Sequence, residues 1–290
     1  MVSKEEFQNN LKNFWPEKAP NILNVQKYVN KYKNDKIVIK CGGKVLIDPI
    51  LFDNFIEDLV ILYKLGLNIV VVHGGGPRIK NELAKLNIES KFINGLRVTD
   101  AQTMQVVEKS LVEFNSEIIE KLKNKDCKAE GLNVSTNNVF IVEQENKELG
   151  FVGRPQSIIK EKIENIIKNK IIPIISPMGK DSLDQKYNIN ADTAASAVAK
   201  GIKARRLLLM TDVEGVYDQN KKVISEIKPE KAKNLIETGV VQGGMIPKLL
   251  NSIEATENGV KGVVIIDGRK IHSILYEIFS DEGAGTLIRK

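Results

Sequence analysis

Cysteine and histidine are nearly absent from this chain, which has two of each: Cys41, Cys127, His73 and His272. So few, so scattered, they exclude a disulfide framework and a clustered metal site, and both thiols are expected to be reduced. Long apolar runs are missing as well. No stretch approaches the roughly 20 residues of a membrane span, and the opening MVSKEEFQNN is too charged for a secretory signal. The expected location is cytoplasmic, with no membrane partner. A concentrated basic stripe with interleaved aromatics is also lacking. The net charge of +6 comes mainly from lysines spread over helical faces, the densest group being the interrupted KLKNKDCK of Lys121 to Lys128. That spread argues against nucleic acid and for small anionic ligands.

What is present is enough apolar material for a large core: 42% of 290 residues are hydrophobic. Two amphipathic helical segments come first. Ser3 and Glu6 form a capping box, and Phe7, Leu11, Phe14 and Trp15 recur at helical spacing until Pro16. Val25, Tyr28, Val29 and Tyr32 form a second stripe. These apolar faces can fold back on their own domain or dock on a second subunit, and the pattern does not choose.

From Lys36 onward, strands and helices alternate. KIVIKCGG and LNIVVVHGGG are short β-branched runs without polar alternation, the pattern of strands buried on both faces of a parallel sheet. Between them a helix carries Phe52, Phe55, Ile56, Leu59, Leu62 and Tyr63 and closes at Gly66. Thr99 with Gln102 reads as a capping box for a long helix from about Asp100 to Lys123. LNVSTNNVFIVEQ and ELGFVGRP predict an antiparallel excursion beside the parallel sheet, after which the α/β alternation resumes. The fold class is α/β, a three-layer sandwich around a mainly parallel central sheet, preceded by a helical extension; two lobes of one continuous sheet are preferred over separate domains.

In open parallel sheets ligands gather at the carboxyl ends of the strands, where both glycine clusters stand. Gly74, Gly75 and Gly76 expose amides with no Cβ in the way, and a helix starting near Pro77 points its positive end at the same spot. Neither cluster has the spacing of a dinucleotide fingerprint or of a Walker loop, so a different phosphate architecture is needed. Lys40 ends an apolar strand just before Gly42 and Gly43, and Lys248 follows a second glycine pair in QGGMIPKLL. A lysine on a buried strand needs a partner. Arg97, in the loop NGLRVTD before the long helix, can clamp a carboxylate. Asn188, Asn190 and Asp192 precede a helix of small residues, where Asp192 can cap the helix, hold nearby lysines, or do both.

The ordered set IKCGG, VVHGGGP, NGLRVTD, LGFVG, NINADTAA, LLMTDVEGVY, GGMIPK and DEGAGT resembles the amino acid kinase family over nearly the whole chain, and in particular its branch acting on N-acetyl-L-glutamate. The resemblance implies transfer of the ATP γ-phosphoryl to the side-chain carboxylate of that substrate, with Mg²⁺ bridging the β- and γ-phosphates and no protein metal site. It implies catalytic roles for Lys40, Lys248 and Asp192, and substrate contacts from Gly75, Gly76, Arg97 and Asn188. The nucleotide is assigned to Gly42, Gly43, Thr211, Asp212, Val213, Gly215, Val216, Tyr217, Val240, Val241 and Gln242. Residues 1–34 become an oligomerising extension of a domain over 35–290, with an acetylglutamate lobe of about 35–180 and an ATP lobe of about 181–290. Arginine-inhibited members share such an extension, so the resemblance also implies a hexamer, a trimer of dimers, with L-arginine as effector near Tyr28, His272, Glu282 and Gly283. The chain departs from many arginine-sensitive members at Cys41 and at Lys44-Val45. Kinases of the same family acting on glutamate, carbamate or an aminoadipate derivative are the nearest rivals, and a non-catalytic arginine sensor is another.

Overall fold

The computed structural model describes residues 11–290. The capping box at Ser3 and Glu6, with Phe7, lies outside the described residues. The described part of the preface folds back on its own chain. Leu11 is buried, Trp15 meets Phe279 edge to face at 5.5 Å, and Trp15 Nε1 donates to Pro20 O. Helix α1 (Val25–Tyr32) buries Val25, Tyr28 and Tyr32 in the same cluster.

Among the described residues the central sheet has eight strands. Strand β1 (Lys36–Cys41) lies between β2 (Asn68–His73) on one side and β11 (Arg206–Thr211) on the other, all parallel. Beyond β2 come β8 (Ile172–Ile175) and the edge strand β5 (Ala129–Leu132), also parallel. Beyond β11 comes parallel β13 (Val263–Asp267), and then β14 (Gly285–Ile288) and β12 (Glu226–Ile227) run the other way. Strands β1, β2, β11 and β13 carry near-continuous burial, as their unalternating apolar runs require when helices cover both faces. Each fully buried Ile, Val or Leu there contributes roughly 1.5–3 kcal/mol.

One face is covered by α2 (Pro49–Lys64), α4 (Ala101–Lys123) and α9 (Ser273–Phe279); the other by α5 (Lys160–Lys168), α6 (Ala191–Gly201), α7 (Pro229–Glu237) and α8 (Met245–Glu257). Helix α3 (Gly76–Lys85) leaves the end of β2 and packs on α4 through Ile79, Leu83, Val107 and Leu111. A four-stranded sheet sits beside the main one: β6 (Phe140–Gln144) pairs antiparallel with β7 (Gly153–Ile158) and parallel with β9 (Met178–Lys180), which joins β10 (Lys186–Asn188).

Two local expectations change. The long helix is capped by Asp100, whose side chain accepts from Thr103 N; the Thr99 hydroxyl is turned back to Arg97 O, so no Thr99–Gln102 box forms. Arg97 stands on a strand, not in an open loop. Strands β3 (Phe92–Ile93) and β4 (Leu96–Arg97) form a hairpin over Asn94-Gly95, both at positive φ (49° and 80°), the geometry of a tight two-residue turn.

Candidate active site

The carboxyl ends of β1 and β2 open on a cavity of about 270 Å³, lined by Lys40, Gly42, Gly43, the Gly74–Pro77 loop, Arg97, Asn188, Asp192 and Lys248. The position follows from the topology. The chain runs from β1 to β2 on one side and later fills β11 and β13 on the other, so a crevice is left beyond the end of β1.

Asp192 is the hub. It sits in the first turn of α6, but it does not cap that helix; Asn190 does, accepting from the amides of Asp192 and Thr193. The Asp192 side chain is thereby free for Lys40 Nζ, 2.9 Å from Oδ1, and Lys248 Nζ, 2.5 Å from Oδ2. Lys40 Nζ also lies 3.4 Å from Met210 O on the neighbouring strand. Burial alone pushes the Asp192 carboxyl up, but the two ammonium groups outweigh it and hold the carboxyl at about 2. Burial, with the charge of Lys40 added, shifts Lys248 below the ordinary lysine value despite Asp192. The approach of Lys40 requires glycine: a Cβ on Gly42 would stand 2.2 Å from Lys40 Nζ.

Arg97 is 8% exposed and has no carboxylate partner among the described residues. Its guanidinium donates to Ser90 Oγ (2.6 Å) and Gly76 O (3.1 Å) and stacks over Phe92 at 4.7 Å. Burial lowers its pKa, as expected of a cation without a counter-charge. Asn188 Nδ2 donates to Thr99 Oγ1 at 3.3 Å, which aims the amide along the same wall. With three cations against one carboxylate, the cavity favours an anion.

The 211–217 segment follows β11 and reaches the glycine loop of β1, where Asp212 Oδ1 accepts from Lys44 N at 2.9 Å. Gly43, at φ +64°, leaves no room for a side chain there, because a Cβ would fall 2.3 Å from Asp212 Oδ1. Thr211 and Val213 are half-buried and Tyr217 is exposed, whereas Val216 is fully buried. The Val216 amide is also taken, by Thr286 Oγ1. A Cβ on Gly215 would stand 2.6 Å from the same Thr286 Oγ1. The turn before α8 carries Val240, half-buried, and Gln242, exposed, while Val241 is in the core. The side chains of Val216 and Val241 are therefore turned into the core, and their N–H groups are taken by Thr286 Oγ1 and Leu235 O.

Tyr28, Glu282 and Gly283 meet at a second cavity of about 480 Å³, with Lys31, Arg206, Glu277 and Asp281. Tyr28 Oη donates to Asp281 Oδ1 at 2.5 Å. Burial raises the Glu277 carboxyl and lowers the Lys31 ammonium. Arg206 Nε is buried without a hydrogen-bond partner. His272 does not join this group. Its Nδ1 is 2.6 Å from Asp58 Oδ1, both side chains buried between α2 and the start of α9.

Lys31, Arg206, Glu277, Ser90, Met210 and Phe92 were not anticipated from the sequence. Lys31 lies on a short helix whose stripe was read for packing, and a backbone carbonyl such as that of Met210 leaves no mark in a residue pattern.

A lysine–aspartate–lysine cluster beside amide-rich loops is suited to phosphoryl transfer, and comparison with known proteins points to the same class. The profile of the Amino acid kinase family matches residues 35–267. An acetylglutamate kinase of Pelagibacter ubique (strain HTCC1062) is 54% identical over 98% of this chain and 98% of its own length. The acetylglutamate kinase of Clostridioides difficile (strain 630) is 43% identical over 94% and 98%. Among solved structures, the N-acetylglutamate synthase of Neisseria gonorrhoeae, complexed with coenzyme A and N-acetyl-glutamate, superposes with a TM-score of 0.84 over 92% of this chain and 62% of its own; at 20% identity it shows the fold alone. The chain belongs to the amino acid kinase family. It is a phosphotransferase with a carboxyl group as acceptor, similar over its full length to acetylglutamate kinases.

Proposed function

We infer that this chain phosphorylates the side-chain carboxylate of N-acetyl-L-glutamate at the expense of ATP, giving N-acetyl-L-glutamyl 5-phosphate and ADP, a step of arginine biosynthesis. The observation that carries the reading is the pairing of Lys40 and Lys248 to the two oxygens of Asp192 in a cavity that also holds an unpaired, buried Arg97.

A carboxylate oxygen of the acceptor attacks the γ-phosphorus while the bond to the β–γ bridging oxygen breaks, and that electron pair leaves with ADP. The acceptor, with a pKa of about 4, is already ionised at neutral pH, so no general base is needed. What the reaction needs is alignment and neutralisation of charge. Lys40 and Lys248 supply the charge from two sides, and Asp192 keeps the two ammonium groups apart and aimed. The amides of Gly75 and Gly76, at the start of α3, face the acceptor and phosphoryl oxygens. Arg97 takes the substrate α-carboxylate, with Asn188 beside it. Residues 211–217 and 240–242, with Gly42 and Gly43, hold the nucleotide. Magnesium would come with ATP and would offset phosphate charge, while the Asp192 oxygens are paired with Lys40 and Lys248.

The segment of about 35–180 accordingly gives most contacts to the acid, joined by Asn188, and that of about 181–290 most contacts to the nucleotide, joined by Gly42 and Gly43, with the sheet continuous between them. The second cavity favours an effector that carries both charges. Glu277, Asp281 and Glu282 face Lys31 and Arg206 around Tyr28, a set suited to L-arginine. With α1 forming one wall of this cavity, the reading extends to feedback inhibition by L-arginine, in a hexamer acting in the cytoplasm.

The test is a hydroxamate assay for acyl phosphate comparing N-acetyl-L-glutamate with glutamate, aspartate and carbamate. N-acetylglutamate should be preferred by at least about 100-fold in kcat/KM, the margin a site built around specific polar contacts supplies. Equal turnover of free glutamate would overturn the reading.

A further inference from the structure

The residue before the triple glycine is a histidine. His73 ends β2, is fully buried, and is not among the residues lining the active cavity. Its ring lies edge-on to Phe114 at 5.2 Å. Asn115 Nδ2 stands 3.1 Å from His73 Nε2 and 2.9 Å from Ile174 O. A carbonyl oxygen only accepts, so this atom must be the amide nitrogen, and its second hydrogen points at Nε2. Nε2 is then the acceptor and the ring proton sits on Nδ1, which faces Gly74 O at 3.0 Å.

Gly74 is thus held at both ends. Its N–H donates to Cys41 O on β1 at 2.7 Å, and its carbonyl accepts from His73. In a trans peptide the C=O and the following N–H point opposite ways. A Gly74 carbonyl turned down toward the buried ring therefore turns the Gly75 N–H up, away from it, and Gly75 lines the cavity. No described residue accepts from that amide, whereas the Gly75 carbonyl is used by Ile79 N. A glycine pair has no side chains to hold a peptide plane, so an outside donor must do so.

We propose that His73, as a permanently neutral Nδ1–H donor with its tautomer set by Asn115, is a positioning residue that fixes the Gly74–Gly75 peptide and so aims the Gly75 amide at the transferring phosphoryl group. The inference rests on the role given to Gly75 above. Neutrality is consistent with the surroundings, since burial lowers the ring to about 4. An imidazolium would lose the acceptor that Asn115 requires.

Asparagine can place its amide nitrogen where Nδ1 was, and glutamine where Nε2 was, so His73→Asn and His73→Gln separate the two edges of the ring while removing similar volume. Oriented amide donors contribute about 10²–10³ in kcat where they have been removed. We expect His73→Gln to lose about 10- to 100-fold in kcat with KM for ATP little changed, and His73→Asn to stay within about 3-fold of the wild type. Ring ¹⁵N spectra of the wild type should show a neutral Nδ1–H tautomer unchanged from about pH 6 to 9. Equal losses in the two variants, or wild-type kcat in His73→Gln, would overturn the role of His73 while the wild type still phosphorylates N-acetylglutamate; so would a proton on Nε2. A wild type inactive on that acid removes the reading of Gly75, and this one with it.

Discussion

Lys248 Nζ and Asp192 Oδ2 lie 2.5 Å apart, 56 residues removed in sequence, and the second oxygen of the same carboxylate serves Lys40. Removing that carboxylate would leave two facing ammonium groups buried without a counter-charge. Asp192→Asn should lower kcat by about 100-fold or more through misplaced lysines, and should destabilise the fold by about 3–5 kcal/mol. Steady-state kinetics and thermal unfolding check the two effects. The Asp192 carboxyl is held below its open-chain value, so its stabilisation is present above pH 4 and is lost as pH falls through about 2. Lys40→Ala and Lys248→Ala should lower kcat far more than they raise either KM; near-normal turnover would mean that the lysines do not act on the phosphoryl group.

Arg97 has the opposite signature. A charge-assisted bidentate contact is worth about 1.5–3 kcal/mol, so Arg97→Lys should raise KM for N-acetylglutamate by about 10- to 100-fold with KM for ATP unchanged. The fold should tolerate the change, since Arg97 supports Gly76 and Ser90 through single hydrogen bonds. A rise confined to KM for ATP would move Arg97 to the nucleotide.

Gly42→Ala tests the close approach at the end of β1. The added methyl would meet the far end of the Lys40 side chain, which can swing aside. A folded protein of near-normal melting temperature but with kcat reduced about 10-fold or more is the expected outcome. Gly43→Ala should behave worse, because its φ of +64° and the Asp212 carboxylate at 2.3 Å both oppose a side chain. Full activity in Gly42→Ala would show that the lysine need not be where it stands.

His272 and Asp58 bring a pH dependence. Burial raises the Asp58 carboxyl to about 6 even against His272; burial lowers the imidazole, but its bond to Asp58 overcomes this and leaves it raised. With both values raised, the folded chain binds more protons than the unfolded one. Stability should therefore fall as pH climbs from the ordinary carboxylate range, through about 6, to above the ordinary imidazole value of 6.5. Melting temperatures of the wild type and of Asp58→Asn with His272→Asn, measured from pH 5 to 9, report this as a slope that the double variant lacks. Parallel slopes would assign the pH dependence elsewhere.

The cavity at Tyr28 should bind L-arginine, and Glu277→Gln should weaken binding by about 10-fold or more, given the cost of losing one partner of a buried charge. Titration calorimetry measures this, and light scattering with kinetics at millimolar arginine checks the hexamer and the inhibition. A dimer indifferent to arginine would remove both while leaving the kinase chemistry in place.

The order of strands and helices, the burial of β1 and β2 on both faces, and the placing of glycines after strands were legible in the sequence, because they depend on local periodicity and on the backbone freedom of single residues. Lys40 could be singled out because it breaks an apolar strand; Lys248, Asp192 and Arg97 stood out by their place beside glycines, helix starts and loops, and their roles came from the resemblance of their motifs to the amino acid kinase family. Distances across the chain were not legible. That Asn190 takes the helix cap and frees Asp192, that Asp100 replaces Thr99 as a cap, and that His272 turns to Asp58 and away from Glu282 are outcomes of competition between neighbouring polar groups for the same donors. Such competition is decided by geometry to within an ångström, and only packing the sheet and its helices supplies that.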